Sequence, residues 1–378
     1  MKRQWKIAVV YDSVKQPGVG HGTHLSFTGL PDTESILVDP NPRDVETRLR
    51  AIGAARRYAD LPTMMRHEVP DILVVCSRLP GDHFAVIQTA AAHGCHVLCE
   101  KPLAASLADA DAMAALAETN GVKIAVAHLA RYTPVFRTLK RMVGEGAIGT
   151  PLTFYGRGKE DERGGGEDLM VLGTHILDLG VFLFGPPEYV FADVRVAGRP
   201  ITAKDRSDTT EAVGRCAGDS LWATLRFPNG VNGVFESRRN LCTGTVRMGV
   251  TVAGTEGTLS VRYDRTRALR ICRSSRPFED EAHYEEVQLR EDRVLPEGTV
   301  PIDYKNYRPQ PANYFADGNR FAALDLMQAI ENDRQPACSV CDAVTTLEII
   351  YGIYRSSLTR SAVLWPITDR THPLEERK

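Results

Sequence analysis

The run His96-Val97-Leu98-Cys99-Glu100-Lys101-Pro102 sets the reading of the whole chain. A short apolar stretch stops at an acid, a base and a proline. A parallel strand buried on both faces has this apolar character, and open α/β sheets bind ligands at the carboxyl ends of such strands. A helix follows at once. Ser106 is its expected N-cap, Asp109 completes a capping box, an alanine-rich run fills it and Asn120-Gly121 ends it. Strand, charged turn and helix form half of a βαβ unit with Glu100 and Lys101 at the turn. The plainer alternative is a solvated surface pair. The place between a strand and Pro102 argues against it.

Upstream, Lys6 to Tyr11 and Ser35 to Asp39 read as strands, and Asn41-Pro42 opens a helix with Pro42 in its first turn. Asp71 to Cys76 is a third strand, Phe84 to His93 a helix closed by Gly94, and Lys123 to His128 one more strand. This alternation predicts a doubly wound parallel sheet, a dinucleotide-binding domain over residues 1–128. Such domains carry glycines directly after the first strand, where the backbone must approach a pyrophosphate. Here the loop is long, and Gly18, Gly20 and Gly22 come late in it, with His21 among them. Asp39 ends the second strand, where a carboxylate accepts ribose hydroxyls and repels a 2′-phosphate; that favours NAD over NADP, with Arg43 close by as the argument for NADP. Ser77, after the third strand, His83, at the head of the next helix, and Glu100 and Lys101 complete the expected cofactor contacts.

Residues 129–378 read as an α+β domain with a large, open, mainly antiparallel sheet, the last helix being an element able to pack back on the first domain. Residues 134–144 form a basic helix and Leu152 to Arg157 a strand, followed by a charged loop that ends in Gly164-Gly165-Gly166. Glu167 to Phe184 is apolar on nearly every side and is expected as one buried helix. Asp168, His175 and Asp178 fall on one face of it, and burying them is costly unless they are paired or functional. A hydrogen-bonded internal pair is the plainer reading. Gly173 admits close approach by another group. Beyond Pro186-Pro187, Ser220 to Phe227, Val231 to Ser237, Met248 to Ala253 and Gly257 to Tyr263 predict an antiparallel meander. Residues 264–312 read as long loops, followed by helices over 313–332 and from Asp342 to Thr359 with Ser339 as cap.

A chain of 378 residues implies two domains, and 43% hydrophobic with 25% charged residues is ordinary for packed cores in a globular protein. A net charge of −2 gives no reason to expect nucleic acid or an anionic membrane as partner. No secretory apolar core follows Met1, and the most apolar run, Leu169 to Phe184, is too short and too polar to span a bilayer. Eight cysteines, among them Cys76 and Cys99 in apolar runs, fit reduced core residues and a cytoplasmic location. Cys338-Ser-Val-Cys341 has no second pair beside it, so no metal is expected there or elsewhere.

Taken together, the motifs resemble those of the glucose–fructose oxidoreductase/inositol dehydrogenase (Gfo/Idh/MocA) family over almost the whole chain. They are Val38-Asp39-Pro40-Asn41-Pro42, the Glu100-Lys101-Pro102 strand end, Arg131-Tyr-Thr-Pro134, Gly164-Gly-Gly166, Gly173-Thr-His175-Ile-Leu-Asp178 and Val252-Ala-Gly-Thr-Glu-Gly-Thr-Leu. The resemblance implies an N-terminal Rossmann domain, a C-terminal sheet often used for homo-oligomerisation, and NAD(P)-dependent oxidation of sugars, inositols or related polyols. It implies that Lys101 lies beside nicotinamide and substrate, often ahead of a cis Pro102, and that His175 is the general acid/base. Asp178 would orient that imidazole or contact the sugar, and Glu100 would hold Lys101. Two departures stand out. The glycine loop is longer, and the acid many members carry four residues before the histidine is Val171 here; either Asp168 replaces it or the proton chemistry rests on Lys101 and His175.

The expected function is therefore a sugar or polyol dehydrogenase with Lys101, His175, Asp178 and Asp168 as catalytic residues and Arg131, Arg157 and Lys159 as substrate contacts. A redox-neutral sugar-modifying enzyme with retained NAD, working by elimination or glycoside cleavage, is a second expectation. A non-catalytic dinucleotide or sugar sensor is a third; it predicts loss of Lys101 and His175, and both are present.

Overall fold

The computed structural model describes residues 3–16, 21–242, 244, 246–264, 266–276, 279–289, 295–302 and 314–375. It divides into two compact units: Met1–Ala105 with Asp109–Thr133 and Asp292–Cys341, and Ser106–Ala108 with Pro134–Glu291 and Asp342–Lys378. The first unit thus extends past the expected boundary at residue 128 and takes in a late segment of the chain.

In chain order the first unit runs β1 (Trp5–Val10), β2 (Thr33–Val38), α1 (Val45–Ile52), β3 (Ala54–Tyr58), α2 (Leu61–His67), β4 (Ile72–Val75), α3 (His83–Ala92), β5 (His96–Cys99), α4 (Leu107–Asn120) and β6 (Ile124–Val126). The strands form a six-stranded sheet in the order β3-β2-β1-β4-β5-β6, every pair parallel. Ile7, Ile72, Leu73, Val97 and Leu98 are fully buried, which explains why the central strands read as unbroken apolar runs. The strand order reverses between β1 and β4, the switch point at which doubly wound sheets open a ligand crevice.

Two features of this unit differ from the sequence expectation. The helix expected from Pro42 starts at Val45. Asp39 Oδ1 accepts the Asn41 amide at 3.0 Å and Asn41 Oδ1 accepts that of Arg43 at 3.0 Å. These side-chain turns compete with helical hydrogen bonding and delay its start. Strand β3 and helix α2 were not anticipated; β3 lies at the sheet edge, where Arg56 pairs with Glu34 and Glu68 and breaks any apolar pattern.

The second unit contains α5 (Pro134–Gly144), β7 (Pro151–Arg157), α6 (Gly166–Val171), α7 (Gly173–Phe184), β8 (Tyr189–Val196), β9 (Arg199–Pro200), the small hairpin β10 (Ser207–Asp208) and β11 (Arg215–Cys216), then β12 (Ser220–Arg226), β13 (Asn232–Arg238), β14 (Gly249–Gly254), β15 (Thr258–Arg262), β16 (Leu269–Cys272) and β17 (Glu285–Glu286). Helix α8 (Tyr314–Glu331) falls in the first unit, and α9 (Val340–Thr359), from Asp342 onward, and β18 (Val363–Leu364) in the second. Among the described residues the large sheet runs β17-β16-β15-β14-β7-β13-β12-β8-β18, with β9 paired to β8. The expected meander is interrupted: β7 inserts between β14 and β13 and runs parallel to β13, so the sheet is mixed.

The expected single helix from Glu167 to Phe184 is broken at Leu172, whose φ of −126° is not helical. A Cβ on Gly173 would lie 2.7 Å from Phe235 Cζ and 2.8 Å from the Asp168 carbonyl oxygen. Only glycine permits that close turn. Asp168 therefore sits on α6, and His175 and Asp178 on α7, rather than all on one helix face. Helix α7 lies against the sheet because β7 offers Gly156, where a Cβ would meet Ile176 Cγ2 at 2.4 Å. Edge-on contacts of Phe154 with Phe184 and Phe227 fill the space beside it.

Candidate active site

In the first unit, the carboxyl ends of β1, β2, β4 and β5 gather polar groups. Glu100 and Lys101 follow β5, each only 2% exposed, and the Lys101–Pro102 peptide is cis. Glu100 Oε1 accepts the Lys101 amide at 2.9 Å and lies 3.0 Å from His21 Nδ1, while Oε2 accepts the Thr23 hydroxyl. Burial pushes the Glu100 carboxyl up, but the charge and hydrogen bond of His21, with Lys101 and Thr23, outweigh it and hold it down to about 2. Glu100 is thus a buried, ionised anchor for the Lys101 backbone. In the opposite sense, burial and the Glu100 charge push the Cys99 and Cys76 thiols well up, so both remain neutral core groups.

Asp39 is fully buried at the end of β2, with Oδ1 accepting the amides of Ser13 at 3.2 Å and Asn41 at 3.0 Å. Gly22, at φ 75°, heads the short helical turn Thr23–Leu25; Gly18 and Gly20 lie outside the described residues. Ser77 donates to Asp82 Oδ2 at 2.9 Å and accepts from Gln16 Nε2 at 3.1 Å. His83 has no exposed surface: Nε2 is 2.7 Å from the Ser77 carbonyl and Nδ1 2.9 Å from that of Leu103. It staples the end of β4 to the Lys101-Pro102-Leu103 turn and works through the backbone. A buried carboxylate at β2, a positive-φ glycine after β1 and an acid–base pair after β5 are the groups a dinucleotide needs at this edge, and they fit one.

In the second unit, Asp168 is 1% exposed, and Oδ2 accepts the Ser237 hydroxyl at 2.7 Å. The same hydroxyl oxygen takes the Gly165 amide at 3.0 Å. Burial raises the Asp168 carboxyl to about 6, against the opposing pull of Ser237 and of the Glu160 and Lys159 amides. A carboxyl in that range exchanges its proton near neutral pH. His175 is 6% exposed, and Asp178, fully buried, accepts the Thr346 hydroxyl at 3.3 Å.

The charged loop turns inward on itself. Glu160 is fully buried in a left-handed conformation, φ 62°. Its carboxylate takes Arg157, Arg247 and the Arg238 amide, and its carbonyl takes the amides of Leu241 and Cys242. Arg157 also pairs with Glu236, and Lys159 with Asp161 at 2.8 Å. Arg131, 2% exposed, donates to the Ala337 carbonyl at 3.0 Å within the first unit. Each expected substrate contact thus has a structural partner already. Sequence reasoning missed Thr23, Ser237, Thr346 and Glu160. For Ser237 there was a signal: it shares the inward face of β13 with Gly233 and Phe235, a lone hydroxyl on an apolar side.

Residues 26–128 match the oxidoreductase family with NAD-binding Rossmann fold, GFO/IDH/MocA, and residues 136–260 match the GFO/IDH/MocA C-terminal domain. The chain belongs to the GFO/IDH/MocA family. The Rossmann match begins after the long glycine loop, the part that departs from the usual motif. Among relatives, D-apiose dehydrogenase from Paraburkholderia graminis is 37% identical over 164 residues, 39% of this chain and 42% of that one. Levoglucosan dehydrogenase from Pseudarthrobacter phenanthrenivorans is 27% identical over 295 residues, 68% of this chain and 74% of that one. A structure of levoglucosan dehydrogenase with NADH and levoglucosan shares the fold, with a TM-score of 0.75 at 21% identity over 96% of this chain and 99% of that one. As a family member the chain is an NAD(P)-dependent oxidoreductase whose relatives include sugar and inositol dehydrogenases. Among the described residues no helix is long and apolar enough to cross a membrane.

Proposed function

We propose that this chain is a dehydrogenase that moves a hydride between a carbon of a sugar, inositol or related polyol and NAD(P), with Lys101 and His175 handling the hydroxyl proton. The observation that carries the reading is the buried Glu100–Lys101 pair at the carboxyl end of β5, locked in place by His21 and Thr23. When bound, the nicotinamide supplies the hydride acceptor. The chain's own residues do the rest. Glu100 fixes the Lys101 backbone so that Nζ is presented to a substrate oxygen, and His175 takes the hydroxyl proton as general base. Asp178, held by Thr346, orients the imidazole. Asp168 takes the place of the acid absent at Val171, as a second proton carrier tuned to about 6. The aromatic face of the large sheet, where Tyr155, Phe191 and Trp222 are 41%, 38% and 44% exposed, is the surface a second copy would cover.

The test is an activity screen of the purified protein with NAD+ and NADP+ against aldoses, inositols and sugar alcohols, read as reduced nucleotide. Formation of reduced nucleotide with a polyol supports the reading, and silence across the panel with intact nucleotide binding defeats it. The redox-neutral alternative has one observation in its favour, the extra protonatable carboxyl of Asp168, which suits removal of a C–H proton. It predicts NAD that co-purifies and is not consumed during turnover.

A further inference from the structure

The two oxygens of the Asp39 carboxylate have different surroundings. Oδ1 is satisfied by the Ser13 and Asn41 amides. Oδ2 is buried without a hydrogen bond, yet Arg48 Nε stands 2.8 Å away as an ion pair that is not aligned as one. Arg48 is pinned in that place. Its Nη2 donates to the Asn41 carbonyl at 2.6 Å and its Nη1 to the Arg43 carbonyl, so the guanidinium grips the loop that follows β2. Arg57 adds a second guanidinium, with Nε donating to the carbonyl of Asp39 itself at 2.7 Å. Arg43 lies exposed in the same loop.

A lone carboxylate at this point of a doubly wound sheet accepts ribose hydroxyls and excludes a 2′-phosphate by repulsion. Here the repulsion is cancelled at its source. One buried negative charge faces Arg48 directly, and Arg57 holds the carbonyl of the same residue. Guanidinium groups are also the side chains best shaped to take a phosphate. On the reading that this edge binds NAD(P), on which this step rests, we infer that Arg48 is the residue that sets cofactor choice, and that by neutralising Asp39 it lets the chain take NADP as well as NAD.

The experiment is calorimetric titration of the full chain with NAD+ and with NADP+, for the wild type and for Arg48→Gln. The wild type should bind the two nucleotides within about thirtyfold of each other, and Arg48→Gln should raise the ratio Kd(NADP+)/Kd(NAD+) by about tenfold or more. A wild-type preference beyond that range, or a smaller rise in the variant, overturns the role of Arg48. Asp39→Asn tests the same idea if Arg48→Gln fails to fold. It should weaken NAD+ and improve NADP+ by less than about tenfold, because the carboxylate charge is already cancelled. A larger gain in NADP+ affinity would mean that the charge was acting unopposed. A wild type that binds neither nucleotide sinks the dehydrogenase reading itself, whereas one that binds NAD+ but fails these comparisons sinks only the inference about Arg48.

Discussion

Replacing Ser237 by alanine isolates what holds the proton on Asp168. The Ser237 hydroxyl donates to Asp168 Oδ2 at 2.7 Å, and neither residue has more than 1% exposure. In the ionised state this is a charge-assisted hydrogen bond, stabilising by about 1.5–3 kcal/mol, whereas to the neutral carboxyl it contributes about 1 kcal/mol. The difference, about 0.5–2 kcal/mol, moves the Asp168 titration midpoint upward from about 6 by roughly 0.4–1.5 pH units. The orphaned Gly165 amide, now lacking its 3.0 Å partner, weakens both protonation states alike and leaves the midpoint unchanged. The assay is infrared difference spectroscopy of the protonated carboxyl band across pH 4–9, with Asp168→Asn as the blank that removes every other acid. A midpoint in Ser237→Ala equal to or below that of the wild type would refute the account of why Asp168 is tuned.

The two buried acids also predict pH-dependent stability of opposite sign. Asp168 is raised from 3.8 to about 6, so the folded state binds the proton more tightly; its contribution is fully present below the unfolded value and about 3 kcal/mol is lost as pH rises through about 6. Glu100 is lowered from 4.5 to about 2, so its contribution, about 3 kcal/mol, is present above 4.5 and is lost as pH falls towards 2. Thr23→Val removes the hydroxyl that Glu100 accepts and should destabilise the first unit by about 1.5–3 kcal/mol at pH 7 and by less at pH 3; thermal melts at the two pH values check this, and an equal loss at both would contradict it. Gly158→Ala places a Cβ 2.0 Å from Asp168 Oδ2 and 2.8 Å from Ser237 Oγ, so it should cost about 1–3 kcal/mol and lower turnover. Gly144→Ala, at the end of α5 with nothing within 4 Å, is the matched control for denaturant unfolding and should not destabilise, gaining up to about 1 kcal/mol.

The parts of this molecule legible in the sequence are those where one local rule dominates. Strands β1, β4 and β5 are apolar on both faces, so their composition alone marks them as buried and parallel. Glu100-Lys101-Pro102 stands out because charge interrupts such a run. What escaped was set by tertiary contact. Strand β3 carries Arg56 and Arg57, whose partners Glu34, Glu68 and the Asp39 carbonyl come from other elements. The break at Leu172 exists because Phe235, from a strand more than sixty residues later, crowds Gly173. In the charged loop, Glu160 reads as solvated and is instead a fully buried hub for arginines from β7 and the chain beyond β13. Sequence spacing placed Asp168, His175 and Asp178 in a buried segment; it could not show that Glu160 is buried, or which carboxylate each hydroxyl or guanidinium would serve.

Lys101, held by Glu100 at a dinucleotide-binding edge, is proposed to act on the substrate hydroxyl whose proton His175 takes. The direct measurement is nucleotide reduction with the best substrate from the panel, for wild type and Lys101→Ala, alongside nucleotide affinity by calorimetry. The variant should bind nucleotide as the wild type does and lose kcat/KM by about 10²–10⁴-fold. A Lys101→Ala protein with unchanged nucleotide affinity and full turnover would contradict that role.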